Sequence, residues 1–156
     1  MTTTVQAQSI FDAARSGDIK AIETMQVTNL DTTDMRGFTP LILAVYNNQY
    51  EMAEYLLKNG ANPNIQDKSG NTALLGTCFK GLPKLTKLLI DYKADVNLAN
   101  FNEATPVIFA TTFGHKEIVQ LLMDAKADKN AKDNRGNTAL DHAIMQENTE
   151  MVELLK

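Results

Sequence analysis

Thr39-Pro40-Leu41-Ile42-Leu43-Ala44 returns as Thr72-Ala73-Leu74-Leu75-Gly76-Thr77, then as Thr105-Pro106-Val107-Ile108-Phe109-Ala110, and again as Thr138-Ala139-Leu140-Asp141-His142-Ala143. Each copy follows the last by 33 residues. A fixed period in the range of about 20–50 residues marks a chain of stacked units, none of which can bury its apolar face alone. The fold is therefore read from one unit and its neighbours.

Just before each copy stands a turn: Asp34-Met35-Arg36-Gly37, Asp67-Lys68-Ser69-Gly70, Asn100-Phe101-Asn102-Glu103 and Asp133-Asn134-Arg135-Gly136. Asp or Asn first and Gly fourth suit a type I turn. The Thr of each copy is placed to cap a helix. Pro40 and Pro106 then occupy the first helical position, where no amide donor is lost. Polar breaks follow at Asn47-Asn48, Lys80-Gly81, Phe113-Gly114 and Gln146-Glu147. After each break comes a second stretch with apolar residues at helical spacing: Met52-Ala53-Leu56-Leu57, Leu85-Leu88-Leu89, Ile118-Val119-Leu121-Leu122 and Met151-Val152-Leu154-Leu155. Helices of two or three turns are marginal alone, so their stability must come from stacking.

Upstream, Ser9 is placed to cap a helix carrying Ile10, Phe11, Ala13 and Ala14. Gly17 ends it, and Asp18 can cap another carrying Ile19, Ile22 and Met25. This first unit is slightly short, as suits a terminal unit with one face toward water. The expected organisation is a flexible tail at 1–8 and a single domain at 9–156. Its units fall at about 9–33, 34–66, 67–99, 100–132 and 133–156.

Three motifs recur in phase: Asp-x-x-Gly-x-Thr-Pro-Leu, Gly114-His115-Lys116-Glu117-Ile118-Val119 and Ala94-Asp95-Val96-Asn97. On these the chain resembles the ankyrin-repeat family over residues 9–156. The resemblance implies an all-α solenoid of helix-turn-helix units joined by β-turn or hairpin loops. There are departures. Ile42, Leu75, Ile108 and Asp141 stand where the family usually has His. Lys93 and Lys126 replace the Gly retained at Gly60, and a left-handed backbone there would cost each Lys roughly 1 kcal/mol. Glu103 replaces the turn Gly, so a differently shaped fourth tip is expected.

The 156 residues are 44% hydrophobic and 22% charged, with a net charge of −4. That acidic balance disfavours nucleic acid and anionic membrane surfaces as partners, because both need a basic face. No apolar run approaches the roughly 18 residues of a membrane span. The N-terminus has neither a basic n-region nor an apolar h-region, so the cytoplasm is the expected compartment. The periplasm or secretion is the alternative if a signal has already been removed.

Enzyme chemistry needs convergent groups, and the sequence offers none. His115 and His142 lie at different places in different units, without a partner at metal-ligand spacing. Cys78 stands in register with Val45, Thr111 and Ile144 and reads as a small buried hydrophobe. The glycines are spread at repeat spacing and form no phosphate loop. Asn64, Asn97 and Asn130 read as bonding the backbone of the inter-unit loop. No catalytic residue, metal or cofactor is implied.

Recognition in a solenoid falls to its variable positions. The resemblance puts these at the turn tips, at the residue before the Thr and at the exposed end of the first helix. The second unit then offers Arg36, Phe38, Tyr46 and Asn47, and the third Lys68, Asn71, Phe79 and Lys80. The fourth offers Phe101, Asn102, Thr112 and Phe113, and the last Arg135 and Asn137. Aromatic and basic residues collect there, and acidic ones do not. The expected partner is a protein segment with apolar anchors and acidic flanks, bound by a monomer through its concave face. The alternatives are a small inhibitor or accessory subunit of an enzyme for the function, and packing of Phe38, Phe79 or Phe113 down onto neighbouring units for the aromatics.

Overall fold

The computed structural model describes residues 8–156, so the tail expected at 1–8 falls, but for Gln8, outside the described residues. Among these residues there are ten α-helices and no strand, arranged as five consecutive pairs. The pairs are α1 (Ile10–Ser16) with α2 (Ile19–Met25), α3 (Pro40–Tyr46) with α4 (Tyr50–Lys58), and α5 (Ala73–Lys80) with α6 (Pro83–Asp91). Two more follow, α7 (Pro106–Thr112) with α8 (Lys116–Asp124) and α9 (Ala139–Met145) with α10 (Thr149–Leu155).

Six of these helices, α1, α2, α3, α5, α9 and α10, start where a side chain accepts from an orphan amide of the first turn, whereas α4, α6, α7 and α8 have no such cap. Ser9 Oγ accepts from Asp12 N–H, and Asp18 from Ala21 N–H. Thr39, Thr72 and Thr138 accept from Ile42, Leu75 and Asp141. Asp141 also reaches back to the Thr138 amide, closing a capping box. Thr105 departs from this pattern. Its Oγ1 caps nothing and is buried without a partner.

The first helices stack in one row, α1 on α3, α3 on α5, α5 on α7 and α7 on α9, and each packs against the second helix of its own pair. Leu41, Leu74 and Val107 lie in that row, while Leu56, Leu89 and Leu122 supply the second helices' side of the core. Burial at a register position depends on whether a neighbour lies on both sides. Val45, Cys78 and Thr111 are sealed between neighbouring pairs, whereas Ile144, at the same place in the last pair, is 55% exposed. Leu121, Val152 and Leu154, assigned to the apolar stripes, are only half-buried.

Two ladders hold successive units in phase. At the tips, Lys68 N–H donates to Arg36 O at 3.2 Å, Phe101 N–H to Ser69 O at 3.1 Å, and Asn134 N–H to Asn102 O at 3.0 Å. In the loops after the second helices, Asn64 Oδ1 accepts from Asp95 N–H at 2.8 Å and Asn97 Oδ1 from Asp128 N–H at 2.7 Å. Asn64 and Asn97 therefore bind backbone as expected, whereas Asn130, with no further unit beside it among the described residues, only donates its own amide to Asp128 Oδ1.

Lys93 and Lys126 both adopt φ 67, the left-handed conformation for which Gly would be the unstrained residue. The fourth tip does not change shape as expected. Glu103 takes φ 59, and its N–H closes on Asn100 O at 2.9 Å, just as Gly37 closes on Asp34. The hydrogen bonding of the tip holds Glu103 in a conformation its side chain disfavours.

Candidate protein-interaction face

The tips and first helices form one surface, and its residues fall in columns set by the repeat. Met35, Lys68, Phe101 and Asn134 share the outermost turn position, with Arg36, Ser69, Asn102 and Arg135 beside them. Tyr46, Phe79, Thr112 and Met145 form a column along the first helices, and Asn47, Lys80, Phe113 and Gln146 the next. All fourteen expected contact residues lie on this surface, and none of them is fully buried.

Their side chains are not equally free. Phe38 and Tyr46 pack together with ring centroids 5.8 Å apart and lean on the core. Burial, and secondarily the charge of Asp67, pushes the Tyr46 hydroxyl pKa up. Asn47 Nδ2 donates to Leu43 O, Asn71 Oδ1 accepts from Asn100 Nδ2, and Thr112 Oγ1 donates to Ile108 O. Those three polar groups are occupied within the chain. By contrast, Phe79 and Phe113 are 47% and 44% exposed and meet edge to face at 4.8 Å, and Phe101 is 67% exposed. Phe38 thus packs within its own unit, whereas Phe79 and Phe113 do pack on one another across neighbouring units, yet stay nearly half exposed.

The aspartates of the tips are spent on the turns, whereas the exposed Glu103 carboxylate is not. Asp34 Oδ1 accepts from the amides of Arg36 and Phe38, Asp67 Oδ1 from Ser69 and Asn71, and Asp133 Oδ1 from Arg135 and Asn137. Asp133 Oδ2 also lies 2.7 Å from His142 Nε2. Burial alone would raise the Asp133 pKa. The Asn137 amide, His142 and the Arg135 amide outweigh it and hold the carboxyl below its usual range. Arg15 is paired with Asp12 at 3.1 Å and Asp34 at 3.5 Å. Arg36, Lys68, Lys80 and Arg135 make no ion pair among the described residues and are exposed.

Two residues of the surface escaped the sequence reading. Phe109 packs 5.7 Å from Phe113, and His142 lines a groove of about 350 Å³ together with Phe109, Phe113, Asn102 and Arg135. Both stand in register with Leu43 and Gly76, so the repeat phase alone could have placed them on this face. A larger depression, about 690 Å³, lies where the breaks of the second and third pairs meet, lined by Tyr50, Leu82 and Pro83. It holds none of the expected contact residues.

Among the described residues no group of three His, Cys, Asp or Glu is placed to hold a metal ion. Cys78 is fully buried, and burial pushes its thiol pKa up to about 12, so it carries no thiolate at neutral pH. No helix among the described residues is long and apolar enough to cross a membrane.

Stacked helix pairs, hydrogen-bonded tips and a variable face along the first helices define a repeat protein of the kind that presents an extended surface to another protein. The family model described as "Ankyrin repeats (3 copies)" matches residues 10–100 and again 74–156, and the chain belongs to the ankyrin-repeat family. Ankyrin repeats generally serve protein–protein interaction and are typically non-enzymatic. Over 68 residues, 43% of its length, the chain is 40% identical to "Receptor-interacting serine/threonine-protein kinase 4" of Homo sapiens. It covers only 8% of that protein's length.

Proposed function

We propose that this chain binds a protein segment through the face made by its turn tips and first helices, and that the segment brings apolar anchors with acidic flanks. The exposed Phe79–Phe113 pair carries this reading. Two large rings from adjacent units stand nearly half in solvent while neighbouring Phe38 and Tyr46 lean on the core. Aromatic and cationic side chains are the usual hot spots of protein interfaces. Lys68, Lys80, Arg36 and Arg135 are exposed on the tips and first helices of the same face and make no ion pair among the described residues, which favours an acidic partner.

The test separates packing from recognition. Phe79→Ala and Phe113→Ala should each lower stability by less than about 2 kcal/mol, because each ring is only half-buried and an aromatic pair adds roughly 0.5–1.5 kcal/mol to its burial. The same variants should lose a partner that the unmodified chain captures, and that capture should weaken with salt. Retention of the partner by both folded variants would sink the reading.

A further inference from the structure

In the groove between the fourth and fifth tips, the neutral form of His142 offers a hydrogen-bond acceptor. His142 Nε2 lies 2.7 Å from Asp133 Oδ2, and an ionised carboxylate can only accept. Nε2 must therefore carry a proton, which leaves Nδ1 of the neutral ring with a free lone pair. Nδ1 makes no hydrogen bond among the described residues and is not one of the buried unpartnered atoms, so it keeps access to solvent on a residue that lines the groove.

Around that acceptor the groove has two further qualities. Ile108, Phe109 and Phe113 give it apolar and aromatic wall, and Arg135 brings a cation with no ion pair among the described residues. At about 350 Å³ it has room for one large side chain. An aliphatic or phenylalanine side chain would fill the groove but strip water from Nδ1 without replacing its hydrogen bond, and that is costly. Serine or threonine would satisfy Nδ1 and leave the rings bare. A basic side chain would meet Arg135 as a like charge.

We propose that this groove receives an aromatic side chain bearing its own donor, a tyrosine hydroxyl or a tryptophan indole N–H, from a segment whose adjacent residue is acidic and reaches Arg135. The inference rests on the interaction reading above and names the chemistry of one anchor within it. The ring packs against Phe109 and Phe113, the donor meets Nδ1, and the carboxylate meets the guanidinium in a charge-assisted bond.

The experiment titrates the full chain with capped acidic pentapeptides of sequence Asp-Glu-X-Glu-Gly, following backbone amides by two-dimensional NMR, with X as Tyr, Trp, Phe or Leu. The Tyr and Trp peptides should shift the Phe109, Arg135 and His142 amides and bind roughly five- to tenfold more tightly than the Phe peptide. His142→Phe should bring the Tyr and Phe peptides to within about twofold of each other. Arg135→Gln, at an exposed position, should weaken all four peptides alike. Equal binding of the Tyr and Phe peptides to the unmodified chain overturns the inference, as does a Tyr preference that survives His142→Phe, or the absence of shifts at the groove. Shifts confined to the Lys68, Phe79 and Lys80 region would overturn this assignment while leaving the interaction face intact. Shifts confined to the second helices would overturn both.

Discussion

The imidazole of His115 lies over Gly81, one unit earlier, so closely that a methyl on the glycine would sit 2.5 Å from Cε1 and 2.8 Å from Nδ1. Nε2 of the same ring is 3.3 Å from Phe79 O. His115 therefore clasps the preceding break between first and second helix, and Gln49 does the same over Gly17, where its Nε2 donates to Arg15 O at 2.9 Å. Gly81 also has φ 73, a second reason for the absence of a side chain. Gly81→Ala should cost about 1–3 kcal/mol, from left-handed strain together with displacement of the ring. A denaturant curve with an unchanged midpoint would show that the ring simply swings aside at no cost.

Lys93 and Lys126 each hold φ 67 with side chains in solvent. Replacing either by Gly should remove about 1–2 kcal/mol of backbone strain. The added freedom of the unfolded chain takes back roughly 0.4–1 kcal/mol. The expected net effect is a rise in melting temperature of about 1–3 °C per substitution. Calorimetry showing lowered values for both variants would mean that the unfolded-state term dominates.

Thr105 and Thr138 share a register position but not a role. Thr138 takes part in a capping box, whereas Thr105 Oγ1 is buried and unpartnered. Thr138→Val should cost about 1 kcal/mol, while Thr105→Val should be neutral or stabilising, because it exchanges an unsatisfied hydroxyl for a methyl of similar shape. Chemical denaturation of the two variants side by side checks the contrast. Equal losses would refute it.

Asp12, Asp133 and Asp141 all have pKa values below the usual carboxylate range. The Ser9 hydroxyl is the main cause for Asp12 and the Thr138 amide for Asp141, while the several donors to Asp133 outweigh its burial. A depressed folded-state pKa means that the ionised form favours the fold. That stabilisation is complete above the unfolded value near 4 and fades as pH falls through the folded one. Melting temperature should thus drop below about pH 4. Asp133→Asn should flatten the fall, and it should fold, because Asn100 already holds the same turn one unit earlier with its own Oδ1. An acid profile identical to that of the unmodified chain would remove Asp133 from the account.

The helix pairs were legible because cap, proline, apolar spacing and turn agree in every copy, and each feature acts over only a few residues. The strained lysines were legible for the same reason, since the repeat itself marks where Gly belongs. The columns of the interaction face were half legible. Register says that Phe38, Tyr46, Phe79 and Phe113 share a surface. Only packing decides that the first two lean on the core while the last two meet each other in solvent. Asp133 with His142 spans nine residues from tip to helix, and His115 over Gly81 crosses a unit boundary. Neither spacing corresponds to a turn of helix or a pleat of sheet, so no local pattern announces it. The fourth tip was misjudged because a turn fastened on both sides can impose a conformation that its residue disfavours.

The backbone ladder from Arg36 O to Lys68 N–H, from Ser69 O to Phe101 N–H and from Asn102 O to Asn134 N–H makes the tips behave as graduations on a ruler. A partner touching two tips has to match their separation as well as the side chains upon them. One residue inserted into a single tip would displace that graduation and break its rungs, while the stacked first helices keep the other marks in place. Change that swaps side chains at fixed graduations can retune preference gradually, but change in the length of one tip erases a mark from the scale.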